Sequence, residues 1–244
     1  MKFIIQDLPV PYDFMMELYR SQNYYDWRGD KFKVVKTSGR KIKNPEEYCP
    51  VGSVEFVVQW YDLYWGKKPM PINCPDIFAT DQIHLPTPLI IKDEIKKSYP
   101  NEIYVFIKSE KTIKSELNGK YSVSDPQLSI PFPDPVVVRP WTEDIISEWR
   151  LFVKDGEILD IKNYLGDPFV CPRKKDCENL VRQCSLLSSR PAYTLDVGIR
   201  SSGKIIVLEV HDFFSCGTYG FSDYQRYPIM LWRWFKWFTR NEYR

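Results

Sequence analysis

The chain lacks the marks of the commonest nucleotide and hydrolase chemistries. Neither GxxxxGK[ST] nor GxGxxG occurs in its 244 residues, which argues against a phosphate-loop NTPase and a dinucleotide-binding fold. No G-x-S-x-G elbow is present for a hydrolytic serine. Histidine is scarce: His84 and His211 are the only two, which limits imidazole acid–base catalysis. The six cysteines, Cys49, Cys74, Cys171, Cys177, Cys184 and Cys216, stand at irregular gaps without a CxxC pair. Neither a zinc site nor a disulfide framework is therefore expected, and reduced thiols fit a cytoplasmic location. A net charge of +2 leaves no electrostatic footprint for nucleic acid, and no nucleic-acid partner is expected. No apolar run approaches the roughly 20 residues that span a bilayer. The start, MKFIIQDLPVPYD, is too polar for a signal peptide.

What is present is an ordinary globular composition, 43% apolar and 27% charged, with an unusually high aromatic share of 16%. The length suffices for one large or two small cores. MKFIIQ reads as a strand, and Pro11 opens a helix to about Arg20 with Phe14, Met15 and Leu18 on one face. Residues 21–50 read as loops around a strand near Phe32–Val35. SVEFVVQW (53–60) reads as a strand, and the proline-rich segment 66–88 as an extended connection. These residues make a small α/β lobe. A second lobe opens near Pro88, with a strand in NEIYVFIKSE (101–110), a lysine-rich loop to Gly119 and a short strand at 120–124. PFPDPVVVRP (131–140) holds a three-valine strand flanked by prolines, which suits a stiff connector between lobes. EWRLFVKDGEILDIKNYLG reads as a hairpin turning at Asp155-Gly156. Asp176 caps a helix to about Ser189, and the tail from Pro228 is an aromatic helix.

The most informative stretch is Tyr193–Gly220, two strands carrying Asp196 on the first and Glu209, His211 and Asp212 at the end of the second. Alternation puts Glu209 and His211 on one face, where Asp196 can meet them. Carboxylates converging at strand ends before a Gly-containing loop suit a hard cation such as magnesium. A polar strand end facing water is the plainer reading. The apolar VLEV setting weighs against it, because a carboxylate in such a strand needs a cation. Cys216, in the loop that follows, reads as a small loop residue. Two further groups carry positive charge. Lys108 ends the strand VFIK and precedes Lys114 in the loop, where a lysine can hold phosphate or simply be solvated. Glu148 and Arg150 share a strand face, where the guanidinium can fork a phosphate or make an ordinary surface ion pair.

Taken in order, VFIK with its lysine loop and NG, the VVVRP segment, SEWRLFVKDGEI, and LEVHDFFSCGTYG resemble the ATP-grasp superfamily. The similarity is nearest to a clade of small ATP-grasp proteins from bacteriophages and bacteria, and it covers about residues 53–225. It implies an α+β ATP-grasp fold, in which two α+β subdomains clasp ATP behind a small α/β pre-ATP-grasp lobe. On this chain the lobe would be 1–87 and the subdomains 88–135 and 136–244. Lys108 and the loop residue Lys114 would contact the phosphates. The backbone around Val138 and Arg139 would serve adenine, with Glu143 toward the ribose and Glu148 beside them. Arg150 would bind phosphate and the developing acyl-phosphate, and Lys162 the acceptor carboxylate. Asp196 and Glu209 would hold magnesium.

Most members of the family carry asparagine where His211 stands. The resemblance therefore leaves His211 as an outer group, or has Asp212 replace the missing contact, or has manganese accept the nitrogen. The implied activity is ATP-dependent joining of a carboxylate to an amine through an acyl-phosphate, on an amino acid, peptide or protein. A kinase on the same fold, a non-catalytic nucleotide-binding module and a nucleic-acid ligase are the alternatives, the last weakened by the charge. The tail helix would pack on a sheet or form a homodimer, with an interfacial membrane role as the less ordinary use.

Overall fold

The computed structural model describes residues 1–37, 42–86, 90–183 and 189–240. The N-terminal lobe is built on a parallel sheet of β1 (Lys2–Gln6), β2 (Lys33–Thr37) and β3 (Cys49–Val51), in the order β2-β1-β3. Parallel neighbours need crossovers, and α1 (Asp13–Trp27) provides the first, running seven residues beyond the Arg20 expected from sequence. Phe3, Ile4 and Ile5 are all buried, as a strand covered on both faces requires.

The segment expected as a strand at 53–60 is a helix, α2 (Val54–Trp65). Its valines and aromatics resemble a strand in composition. Their buried positions Val54, Phe56, Val57, Trp60 and Tyr61 recur at helical spacing, however, and Ser53 Oγ accepts the Phe56 N–H at 3.1 Å as an N-cap.

The tail helix α5 (Tyr227–Arg240) packs into this lobe, the first of the two uses expected for it. Met230, Leu231, Trp234, Phe235 and Phe238 are buried in the same core as Phe3, Val51 and Tyr61, and the Phe238 ring lies 4.7 Å from Tyr61.

A second sheet takes β4 (Ile83–Leu85), β5 (Tyr104–Ser109), β6 (Gly119–Ser122) and β7 (Val136–Pro140) in the order β4-β7-β5-β6, all antiparallel. The helix α3 (Lys92–Ser98) packs on it through Ile95. The three-valine strand expected in VVVRP is present, but it is an interior strand paired on both sides and not a connector. The sheet draws on residues either side of the expected 135/136 boundary. It also takes in β4 from before the 87/88 boundary, which itself lies outside the described residues.

The third sheet, order β11-β10-β8-β9, joins β8 (Ile145–Lys154), β9 (Glu157–Gly166), β10 (Ala192–Arg200) and β11 (Ile205–Asp212). The β8–β9 hairpin turns at Asp155 and Gly156, with φ of 50° and 80°, as a two-residue turn of this hand demands. The helix α4 (Lys174–Gln183) begins two residues before Asp176, which sits in its first turn instead of capping it. The expected extension toward Ser189 crosses residues 184–188, outside those described. Cys177 and Val181 pack against Leu151, Val153 and Leu195, so one face of this sheet is sealed. Alternation turns Arg150, Asp196 and Glu209 to the other face, toward the second sheet.

Candidate functional site

The second and third sheets meet at a cleft whose two walls carry opposite charge. From β5, Phe106 and Lys108 alternate into it, and Arg139 of β7 stands in register with Phe106, its guanidinium 5.3 Å from that ring. From β11 come Leu208 and Glu209. The Lys108 ammonium lies 2.5 Å from the Glu209 carboxylate, and Arg139 Nη2 donates to the Leu208 carbonyl at 3.2 Å. Between them is a cavity of about 220 Å³, lined also by Trp141, Glu148, Tyr164 and Asp196. Burial would raise the Glu209 carboxyl, but the charge and hydrogen bond of Lys108 outweigh it and hold it below the usual range.

Asp196 faces Glu209 directly across β10 and β11. Arg150 grips it with two parallel bonds of 2.8 Å, from Nε and Nη2, while Nη1 donates to the Gly217 carbonyl at 3.1 Å. The guanidinium is flanked by the rings of Tyr164 and Tyr219, 5.8 and 5.1 Å away, which stack on each other at 5.2 Å. Burial pushes Asp196 up against the pull of this guanidinium. The loop after β11 is pinned from the N-terminal lobe, where Asp13 Oδ2 accepts from Thr218 N at 2.6 Å and Thr218 Oγ1 at 2.7 Å.

The structure thus brings Lys108, Arg139, Glu148, Asp196 and Glu209 to one cleft, with Arg150 behind Asp196. It sets others apart. The Val138 side chain is fully buried on the far face of β7, and its carbonyl accepts from the Tyr99 hydroxyl at 2.9 Å. Trp141, three residues on, lines the cavity in its place. Glu143 is exposed and pairs with Lys120 at 3.5 Å, beside a neighbouring opening. Lys162 stands opposite Arg150 in register but pairs with Asp160 at 3.2 Å. Lys114 sits in the loop between β5 and β6 with φ of 55°, and its charge reaches Glu55 at the start of α2.

Asp212 lies apart from the acidic pair. As the residue after His211 it alternates away from Glu209, is 3% exposed and pairs with Arg190 at 3.1 Å. His211 Nδ1 lies 2.6 Å from the Asp212 carbonyl and 3.3 Å from Cys216 Sγ. Burial disfavours its charge, but Cys216, Glu209 and that carbonyl together raise it to about 9. His211 thus stands two residues from Glu209, with Nδ1 turned to the Asp212 carbonyl and Cys216.

Among the described residues no group of three or more acidic, histidine or cysteine side chains is placed to hold a metal. Two facing carboxylates at the rim of a cleft nonetheless fit magnesium, which commonly takes one or two carboxylates and completes its shell with phosphate oxygens and water. Phe106, Trp141, Leu208, Tyr164 and Tyr219 are functional neighbours that the sequence reading passed over. Phe106 had a signal, since it lies two residues before Lys108 and must share its face.

Beside this cleft, His84 of β4 is held on both nitrogens, by Glu110 at Nδ1 and by Asp76 at Nε2, 2.9 Å away. Burial alone would lower this imidazole, but the two carboxylates outweigh it and raise it above 6.5. The bridge therefore stabilises fully below that value and fades as pH rises through the raised one. With a side chain 48% exposed, it is screened and worth under about 1 kcal/mol. Thermal melts of wild type and His84→Gln should differ in mildly acidic buffer and converge in alkaline buffer. A gap that widens with pH would contradict this.

Residues 89–228, more than half of the chain, match the family model for the ATP-grasp domain, R2K clade family 2. No protein of curated function matches the sequence. Solved structures share the fold. The D-cycloserine synthetase DcsG is 12% identical over 95% of this chain and 98% of its own, with a TM-score of 0.59. D-alanine–D-alanine ligase from Bacillus anthracis is 12% identical over 98% of both chains, at 0.53. N5-carboxyaminoimidazole synthetase from Staphylococcus aureus, in complex with ADP, is 12% identical over 86% of this chain and 70% of its own, at 0.51. Among the described residues no helix is long and apolar enough to cross a membrane.

Proposed function

This chain belongs to the ATP-grasp family, R2K clade family 2, and we propose that it joins a carboxylate to an amine at the expense of ATP. The observation that carries the reading is one cleft with Lys108 on one wall and the Asp196–Glu209 pair, backed by Arg150, on the other. The synthetase and ligase names of the structural neighbours support the same reaction class.

In this reading the base lies against Phe106, Trp141 and Leu208, below Arg139, and the triphosphate runs toward Glu209. Lys108 leaves Glu209 for phosphate oxygens, and the Lys114 loop closes over them. Glu209 and Asp196 would hold magnesium, or manganese, which when bound offsets phosphate charge. An acceptor carboxylate oxygen attacks the γ-phosphorus as the bond to ADP breaks, giving an acyl-phosphate. The amine nitrogen then bonds to the acyl carbon and phosphate departs. Lys108, and Arg150 from behind Asp196, stabilise charge as it spreads over the transferring group. Asp212 is buried in an ion pair with Arg190, and the amine proton passes to the departing phosphate or to water.

The acceptor is an amino acid, peptide or protein. Incubation with ATP, magnesium and pools of amino acids and peptides should release ADP together with free phosphate. Release of AMP would rule out the acyl-phosphate route. Phosphate retained on the acceptor would make the protein a kinase, and tight ATP binding without turnover a binding module.

A further inference from the structure

Three consecutive residues of β11 reach across to the second sheet, and they do so in different ways. Leu208 is reached by the long side chain of Arg139, and Glu209 by the long side chain of Lys108. Val210 is reached through a residue of the proline-rich connection. Its N–H donates to the Asn73 carbonyl at 2.8 Å, and the Asn73 side-chain amide donates to the Ser109 carbonyl at 3.0 Å. Ser109 follows Lys108 and Val210 follows Glu209. Asn73 therefore ties the two strands one residue beyond the ion pair.

We propose that Asn73 is the positioning residue of this site, a fixed pivot that sets Lys108 opposite Glu209 while the cleft opens and closes around nucleotide.

The cavity of about 220 Å³ is smaller than the roughly 300–1,000 Å³ of small-molecule sites. A nucleotide must therefore part the sheets. The Arg139 and Lys108 links lie in the cavity lining and end on flexible side chains, so they are the ones that give way. Asn73 lies outside that lining, beside a void of about 10 Å³ that admits no ligand. It is 8% exposed, and its link is made of main chain and a short amide. Its φ of 56° is a left-handed conformation that asparagine tolerates better than most residues. The neighbouring Cys74 thiol adds a contact to the Val207 carbonyl at 3.4 Å.

The pivot also reaches the root of the lysine loop. Ser109 Oγ donates to Asp134 at 2.8 Å and accepts the Thr112 N–H at 2.9 Å, and Ser109 N donates to Asn118 Oδ1 at 2.8 Å. Moving Ser109 relative to Val210 would thus shift Lys108 and the loop of Lys114 together.

Two variants separate the amide from the backbone. Asn73→Asp keeps size and tolerates the left-handed backbone, but turns an acceptor toward the Ser109 carbonyl. Asn73→Gly keeps that backbone and the Val210 bond and removes the amide altogether. Small-angle X-ray scattering without nucleotide should show both variants more extended than wild type while they still melt cooperatively. ATP with magnesium should bind each about tenfold more weakly by calorimetry. Folded variants with wild-type scattering and affinity would overturn the proposal. The opening around nucleotide and the calorimetry rest on the nucleotide reading, whereas the setting of Lys108 opposite Glu209 by Asn73 rests on the contacts alone. If wild type binds no ATP yet the variants expand, that reading fails and the pivot stands.

Discussion

Replacing Arg150 by methionine is expected to abolish turnover and to cost about 3–5 kcal/mol of stability, because it strands a buried carboxylate. Arg150 and Asp196 are only 13% and 7% exposed, and each guanidinium nitrogen makes a hydrogen bond. Urea unfolding reads the effect directly. The double variant Arg150→Met, Asp196→Asn removes both charges and should regain much of the stability but none of the turnover. Wild-type unfolding of the single variant would show that Asp196 finds water or another cation, and that the pair is no structural unit.

Glu209→Gln should lower turnover by about 10²–10³ while the fold survives, since the amide has the same shape and half the cleft wall is unaffected. The change removes the partner of Lys108, so metal-free ATP should bind no more weakly than to wild type, and the loss should appear in the magnesium dependence of ADP release. Unchanged turnover at every magnesium concentration would remove Glu209 from the site.

The parts of this molecule legible in its sequence are those fixed by neighbours in the chain. Asp155-Gly156 sets its turn locally, and the order of Lys108, Arg150, Asp196 and Glu209 carried the family resemblance. Alternation applied one residue at a time would also have placed Val138 and Asp212, which lie between residues of the opposite face. The strand expected at 53–60 shows composition misleading where periodicity decides. The valine strand of β7 was legible, but its interior place was not, because prolines usually mark an edge. Here Pro140 closes the strand and Pro135 precedes it, so the pairing of Val136–Val138 is left intact. Other features depend on contacts distant in sequence. Asp13 holds Thr218 across 205 residues, and Asn73 has no local pattern to mark it. No window of sequence contains such pairs.

The cover that α5 provides for the N-terminal sheet has a consequence for how the protein is made. β1, β2 and β3 are translated within the first 51 residues, yet the helix that seals them spans Tyr227–Arg240. During synthesis this lobe cannot close ahead of the rest, as N-terminal units usually do. Phe3, Val51 and Tyr61 wait for Trp234 and Phe238, so a ribosome stalled before residue 227 holds a chain with an open apolar face, a substrate for chaperones rather than a folded domain.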